Sequence, residues 1–146
     1  LLPMSRGVIG VDGSARMLER CRRRFSQADL ADGRISLRIG ELNHLPLRDH
    51  EADFACINLV LHHLSAPEEG LREIRRIMAP GGRLFVVDFQ RHNDETMRSR
   101  YGDRWLGFEE HELAAGLEHA GFAILSSARQ PVGRGLVLLL MKAAAR

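Results

Sequence analysis

Val8-Ile9-Gly10-Val11-Asp12-Gly13-Ser14 is the stretch from which the fold can be read. A short apolar run of strand length ends in an acid, a glycine and a hydroxyl residue. Ser14 is placed to cap a helix carrying Met17, Leu18, Cys21 and Phe25 on one face. Asp32-Gly33 then turns the chain into a second run, Ile35 to Ile39. Strand, helix and strand in that order are the elements of a unit that builds a parallel sheet.

The pattern continues outward. A third run covers Phe54 to Val60, after a loop with Pro46 and the acids Asp49, Glu51 and Asp53. Ser65 and Glu68 have the spacing of a capping box, which predicts a helix burying Leu71, Ile74, Ile77 and Met78 and stopped by Pro80-Gly81-Gly82. Leu84 to Asp88 is a continuous apolar run, as expected of a strand covered by helices on both faces. Gln90 to Gly107 is polar and irregular. Glu109 to Ala120 follows as a helix with Leu113 and Leu117 inward and Gly121 as its stop. Phe122 to Ser127 and Leu136 to Lys142 are the last strands. The eight residues between them, Ala128 to Gly135, are too few for a parallel crossover of about a dozen, so this pair must be antiparallel. The fold class is α/β: a doubly wound, mostly parallel sheet with an antiparallel last strand, in a single domain over residues 1–146.

Composition agrees with one globular domain. The 146 residues are 45% hydrophobic and 27% charged, with 21 basic against 19 acidic side chains and a net charge of +2. That excludes extensive disorder, and the small excess gives no sign of a nucleic-acid partner. Arg20, Arg22, Arg23 and Arg24 interleave with Leu18, Cys21 and Phe25 at helical spacing, so the cluster is read as a solvated helix face rather than a phosphate site. The longest apolar stretch, Leu136 to Met141, is far short of the roughly 20 residues needed to span a bilayer. Two cysteines, Cys21 and Cys56, fit no metal template and imply a reducing compartment, with the cytoplasm expected.

Asp12 stands at the end of a strand, before a small residue and a helix, where doubly wound folds hold ribose hydroxyls; an aspartate there also serves as a turn or cap residue. Glycine pairs elsewhere, Gly133-Arg134-Gly135 and Gly81-Gly82, do not follow an apolar strand into a helix and so cannot serve as a glycine-rich cofactor turn. Four further stretches complete the pattern: Gly40-Glu41-Leu42 leading to Leu45-Pro46-Leu47, Ala52-Asp53-Phe54, Leu61-His62-His63-Leu64, and Met78-Ala79-Pro80-Gly81-Gly82-Arg83-Leu84. In this order the five resemble the class I S-adenosylmethionine (SAM)-dependent methyltransferases, and within them the ubiquinone-biosynthesis-like, type 11 group. Tyr101-Gly102-Asp103-Arg104-Trp105-Leu106-Gly107-Phe108 further resembles the methyltransferase half of proteins fused behind an ArsR-type winged-helix repressor.

The resemblance implies SAM as cofactor and a small-molecule methyl acceptor as partner, with a fused or upstream winged-helix domain. Asp12 would take the ribose hydroxyls, and Gly13, Ser14 and Met17 would line the sugar and adenine. Glu41 would accept from the adenine amino group, Leu42 would meet the ring through its backbone, and Asn58 and Leu59 would flank the methionine portion. The family's first strand and its glycine-rich turn have no counterpart before Val8. That strand is normally central, so its absence would deprive two parts of the sheet of a partner, and the chain is expected to be the C-terminal part of a longer methyltransferase. Met4 as a start residue is the other possibility.

His62 and His63 are the candidate acceptor-side catalytic pair. As neighbours on a regular element they should diverge, and no CxxC or HExxH spacing supports them, so no metal site is expected. His92, Tyr101 and Trp105 lie where this family covers its acceptor, either touching it or anchoring the loop. Asp88 could face the cleft or cap the next turn, and His111 and His119 should be on the surface. Two other function classes fit: a non-catalytic SAM-responsive effector module, and an NAD-dependent enzyme, because an aspartate like Asp12 suits either nucleotide.

Overall fold

In the computed structural model, residues 5–146 are described. The chain forms two compact units divided between Pro46 and Leu47.

The first unit is built on two parallel strands. β1 (Val8–Asp12) and β2 (Ile35–Ile39) pair in register, with Val8 opposite Ile35 and Asp12 opposite Ile39. Between them lie α1 (Ala15–Arg22) and a short α2 (Gln27–Ala31). Ser14 caps α1 as expected, its side chain accepting from the Met17 N–H at 3.3 Å. α1 stops before Phe25, yet Leu18, Cys21 and Phe25 are all half-buried, whereas Met17, placed on the same face from sequence, is 49% exposed. The α2 turn was not visible as periodicity because it is one turn long. Ser26 and Asp29 stabilise it by a reciprocal capping box. The four clustered arginines are exposed.

The second unit is a four-stranded sheet in the order β3-β4-β6-β5, formed by β3 (Ala52–Asn58), β4 (Met78–Phe89), β5 (Phe122–Pro131) and β6 (Val137–Ala145). β3 and β4 are parallel, and β6 is antiparallel to both β4 and β5. One strand therefore opposes three, as the short β5–β6 connection requires. The core lies where α3 (Pro67–Ile77) and α5 (Glu110–His119) cover the sheet. Leu71, Ile74 and Ile77 and then Leu113 and Leu117 are buried, with Ile57, Leu84, Val86, Phe122, Leu139 and Met141. Spacing of three and four residues puts each helical set on one stripe, and burial of such side chains contributes roughly 1.5–3 kcal/mol each.

Several boundaries differ from sequence. α3 is not opened by Ser65 and Glu68. Its N-cap is Ala66, at φ −133° and ψ 85°, with no side-chain cap, because Pro67 favours the first helical position and excludes helical geometry from the residue before it. β4 starts at Met78 instead of Leu84, and Pro80-Gly81-Gly82 lies within it as an irregularity: Ala52 is opposite Met78 and Phe54 opposite Arg83. A Cβ on Gly82 would sit 2.8 Å from the Ala79 carbonyl oxygen and 3.0 Å from that of Asp53, so only glycine fits this approach. β3 ends at Asn58, not Val60, since Leu59 turns to φ 56°. The irregular segment contains one short helix, α4 (Thr96–Tyr101). β5 runs further than expected, to Pro131, into a tight hairpin closed by Val132 N–H donating to the Leu136 carbonyl at 2.9 Å, and β6 starts at Val137 and runs past Lys142 to Ala145.

Candidate functional site

In the first unit the expected nucleotide residues gather at the C-terminal ends of two paired strands. Asp12 is the last residue of β1, and its Oδ1 accepts from the Ser14 N–H at 2.7 Å, which fixes the carboxylate at the mouth of the turn. Gly40 N–H donates to the Asp12 carbonyl at 3.3 Å, bringing the loop after β2 against the loop after β1. Glu41, exposed, and Leu42, half-buried, follow directly, and Glu41 closes a tight turn by accepting the His44 N–H at 2.9 Å. The nearest atom to a Cβ built on Gly13 is the Gly40 carbonyl oxygen at 3.9 Å, so the glycine leaves a gap beside Asp12. Met17 is exposed on the first turn of α1.

In the second unit Asn58 and Leu59 end β3. Asn58 is exposed, and Leu59, in the left-handed region, donates its N–H to the Val87 carbonyl at 2.8 Å. This bend sends the chain into a single 3-10 turn, Leu61–His63, and the two histidines. They do not diverge. Their Nε2 atoms are 3.1 Å apart, with ring centroids at 4.1 Å and planes tilted by 56°. The divergence argument fails because an isolated turn, entered through a left-handed residue, imposes no fixed angle on long side chains.

Around the pair are two acids. His62 is buried, and its Nδ1 donates to Asp88 Oδ1 at 2.6 Å; the same oxygen accepts the Phe89 N–H at 2.8 Å. Asp88, on β4, is fully buried. It therefore faces the histidines rather than capping the outward turn, one of the two roles its strand-end position allowed. Asp103 Oδ1 lies 3.8 Å from His62 Nε2 and 3.6 Å from His63 Nδ1, and its side chain is 1% exposed. Neither Asp103 oxygen has a hydrogen-bond partner. His63 remains 44% exposed and is the open side of the cluster. Sequence reasoning missed Asp103. A lone aspartate after a glycine in an irregular segment carries no periodic signal, and it is the left-handed Gly102, at φ 76°, that turns it inward at the end of α4.

Next to the cluster is an open groove of about 460 Å³ lined by Ser65, His92, Asn93, Arg98, Arg104 and Trp105. Arg104 and Trp105 N–H groups both donate to the His62 carbonyl, at 2.9 and 3.1 Å. Trp105 Nε1 donates to the Leu64 carbonyl at 2.8 Å and its ring stacks on Phe108, so it anchors the loop to the histidine turn. Tyr101 is exposed, as are His111 and His119. Cys56 is a free thiol whose partial burial raises its pKa, which disfavours the reactive thiolate.

Parallel strand pairs linked through helices, β1 with β2 and β3 with β4, define the class: a Rossmann-like α/β protein. A family profile described as "Methyltransferase domain" matches residues 2–86. The chain belongs to this methyltransferase domain family. A 37.1 kDa protein of transposon TN4556 from Streptomyces fradiae is 39% identical over 79 residues, which is 54% of this chain and 22% of that protein. Demethylmenaquinone methyltransferase of Lactiplantibacillus plantarum is 38% identical over 81 residues, 56% of this chain and 34% of the relative. The chain thus matches only about a fifth to a third of the length of these relatives. Among solved structures, an S-adenosylmethionine-dependent methyltransferase from Mesorhizobium loti superposes with a TM-score of 0.78 at 19% identity, covering 96% of this chain and 81% of that one. The cyclase SpnF superposes at 0.76 and 17% identity, covering 95% and 66%. The likeness to both establishes the fold, and SpnF, a [4+2]-cyclase, shows that the fold alone does not dictate methyl transfer.

Proposed function

We propose that this chain performs SAM-dependent methyl transfer to a small-molecule acceptor, as the C-terminal part of a longer cytoplasmic protein. The observation that carries this is the family match over residues 2–86, which takes in both the Asp12 strand end and the His62–His63 turn. Relatives named for demethylmenaquinone and for 2-phytyl-1,4-naphtoquinone support a small oxygenated ring compound as the acceptor. The incomplete match to those relatives supports a longer whole protein, as does β3, an edge strand whose only strand partner among the described residues is β4.

The residues of the first unit fit a nucleoside. An Asp12 carboxylate fixed by the Ser14 N–H, with the gap at Gly13 beside it, suits two vicinal hydroxyls. Asp12 would accept from both ribose hydroxyls, with Ser14 and Met17 against the sugar and adenine. Glu41 would accept from the adenine amine, and the Leu42 backbone would meet the ring. Asn58 and Leu59 would lie beside the methionine portion. When bound, SAM supplies a methyl carbon already activated by a sulfonium. The protein's task is then to align the acceptor in line with that carbon and exclude water. His63, the exposed member of the pair, would meet the acceptor's oxygen side, with buried His62 positioning it from behind, beside the groove anchored by Trp105.

Calorimetry with SAM and S-adenosylhomocysteine on this chain, beside a version extended upstream, tests the proposal. Binding by the extended chain that falls at least tenfold on Asp12→Ala, with the fold retained by circular dichroism, is expected. A tenfold loss corresponds to about 1.4 kcal/mol. Binding by neither chain overturns the SAM assignment, and tight binding by the short chain alone overturns the need for an upstream segment.

A further inference from the structure

We infer that His62, His63 and Asp103 form a binding site for a divalent transition-metal ion of the zinc class. The argument starts from lone pairs. The Asp88 carboxylate accepts from His62 Nδ1, so the neutral ring carries its hydrogen there and points a bare Nε2 at His63. His63 Nδ1 faces the buried Asp103 oxygen at 3.6 Å, which favours the same tautomer in the second ring. In that tautomer two imidazole Nε2 lone pairs meet at 3.1 Å, and either a hydrogen carried on His63 Nε2 or a cation between the rings relieves their repulsion. A shared proton would satisfy them, and so would a metal ion.

Geometry and charge favour the metal. Ligand atoms about 2.1 Å from one ion lie at most about 4.2 Å apart. The Nε2 pair at 3.1 Å and the Asp103 Oδ1–His62 Nε2 pair at 3.8 Å are both within that reach. Asp103 is the second, independent observation: its carboxylate is almost fully buried, both oxygens lack hydrogen bonds, and it is aimed at the histidines. A buried carboxylate in that condition calls for a positive charge. With Asp88 also buried on the far side of His62, the cluster holds two carboxylates, more negative charge than one shared proton offsets. Asp88 then takes the part of the outer carboxylate that orients a metal-binding histidine. Two imidazoles and a carboxylate suit a borderline ion such as Zn²⁺ or Co²⁺ better than Mg²⁺ or Ca²⁺, which prefer oxygen ligands.

The site is open on one side, where His63 is 44% exposed. Resting here on the methyltransferase reading, that side would take an oxygen of the acceptor, which a bound ion polarises so that a hydroxyl releases its proton to solvent as the oxygen–metal bond forms.

The test is a Co²⁺ titration of the full chain followed by visible absorption, with Zn²⁺ competition and calorimetry. The expected result is a d–d band saturating at one equivalent and displaced by Zn²⁺. His63→Ala removes an accessible ring and should weaken binding at least tenfold. Asp103→Asn should do the same, and His111→Ala, an exposed histidine on α5, should leave affinity unchanged. Thermal unfolding checks each variant, and if Asp103→Asn does not fold, His63→Ala decides alone. No saturable band, or wild-type affinity in folded His63→Ala, overturns the site and leaves the shared proton. SAM and metal affinity measured side by side on the upstream-extended chain separate the two proposals: metal without SAM overturns the methyltransferase reading alone, and SAM without metal overturns this inference alone.

Discussion

Asp88 shows how much a single side chain can be asked to hold. One of its oxygens takes both the His62 ring N–H and the Phe89 backbone N–H, and the residue is entirely buried on a central strand. Its removal leaves two donors without a partner in a water-free environment, a situation that costs about 1–3 kcal/mol per group. Asp88→Ala is therefore expected to lower stability by about 2–5 kcal/mol in urea denaturation, with Asp88→Asn recovering part of it, because the amide oxygen still accepts. A loss below about 0.5 kcal/mol for Asp88→Ala would mean that the His62 geometry does not depend on this acid. Residues of this kind mark the limit of what sequence shows. Asp12 and Ser14 were legible because strand, turn and helix sit next to each other in the chain, so role follows from local order. Asp88 was legible only as a strand end with two possible directions, and Asp103 not at all, since its partners are about 40 residues away and no local rule brings them together.

At the level of elements, α5 is the one whose ends are most explicitly built. Its capping box joins Glu109 and Glu112, and Arg91 bonds to Glu112 at 2.5 Å while Ser127 and Arg129 bond to Glu110. The Glu112 carboxyl is held below the ordinary glutamate value of 4.5, first by the Glu109 backbone N–H and then by Arg91. Glu110 is lowered in the same direction by the Ser127 hydroxyl first and Arg129 second. A carboxyl whose pKa is lower in the folded state stabilises the fold above its unfolded value and loses that contribution as pH falls through its folded value. Acidification below about pH 4.5 should then lower Tm. Glu112→Gln should lower Tm near neutral pH, with the gap to the parent chain closing at low pH and narrowing in high salt, since these groups are exposed and screened. A gap that stays constant with pH would assign the effect to lost packing instead. The helix itself was read correctly because Leu113 and Leu117 keep period and Gly121, at φ 94°, stops it. The start of α3 was misread because two signals compete there, a capping spacing at Ser65 and a proline at Pro67, and the proline is the harder steric constraint. The extent of β4 was misread for a related reason: Pro-Gly-Gly ends most regular elements, and only a partner strand can show that pairing resumes beyond it.

For the whole molecule, burial is distributed unevenly between the two units. Among the described residues of the first, the buried hydrophobic side chains are Ile35 and Leu45, at 7% and 8% exposure, and no residue of α1 or α2 is fully buried. In the second, Leu61, Met78, Val86, Leu117, Phe122 and Leu139 all reach 0%. Local opening free energy follows buried apolar contact, so the units should not open together. Hydrogen exchange is expected to show β1 and β2 amides exchanging at least tenfold faster than those of β4 and β6, although both pairs are hydrogen-bonded strands. Equal protection would mean that the two units unfold as one cooperative body and that side-chain burial within each is not what sets their stability. The same measurement bears on the proposed chemistry. If Asp12, Ser14 and Leu42 hold a nucleoside, saturating SAM should slow exchange at the Ser14 and Leu42 amides in any chain that binds it, because a ligand that binds only the closed form stabilises it by mass action. Protection gained there, in the part of the chain with the smallest core, would make the ligand itself a structural component of the fold.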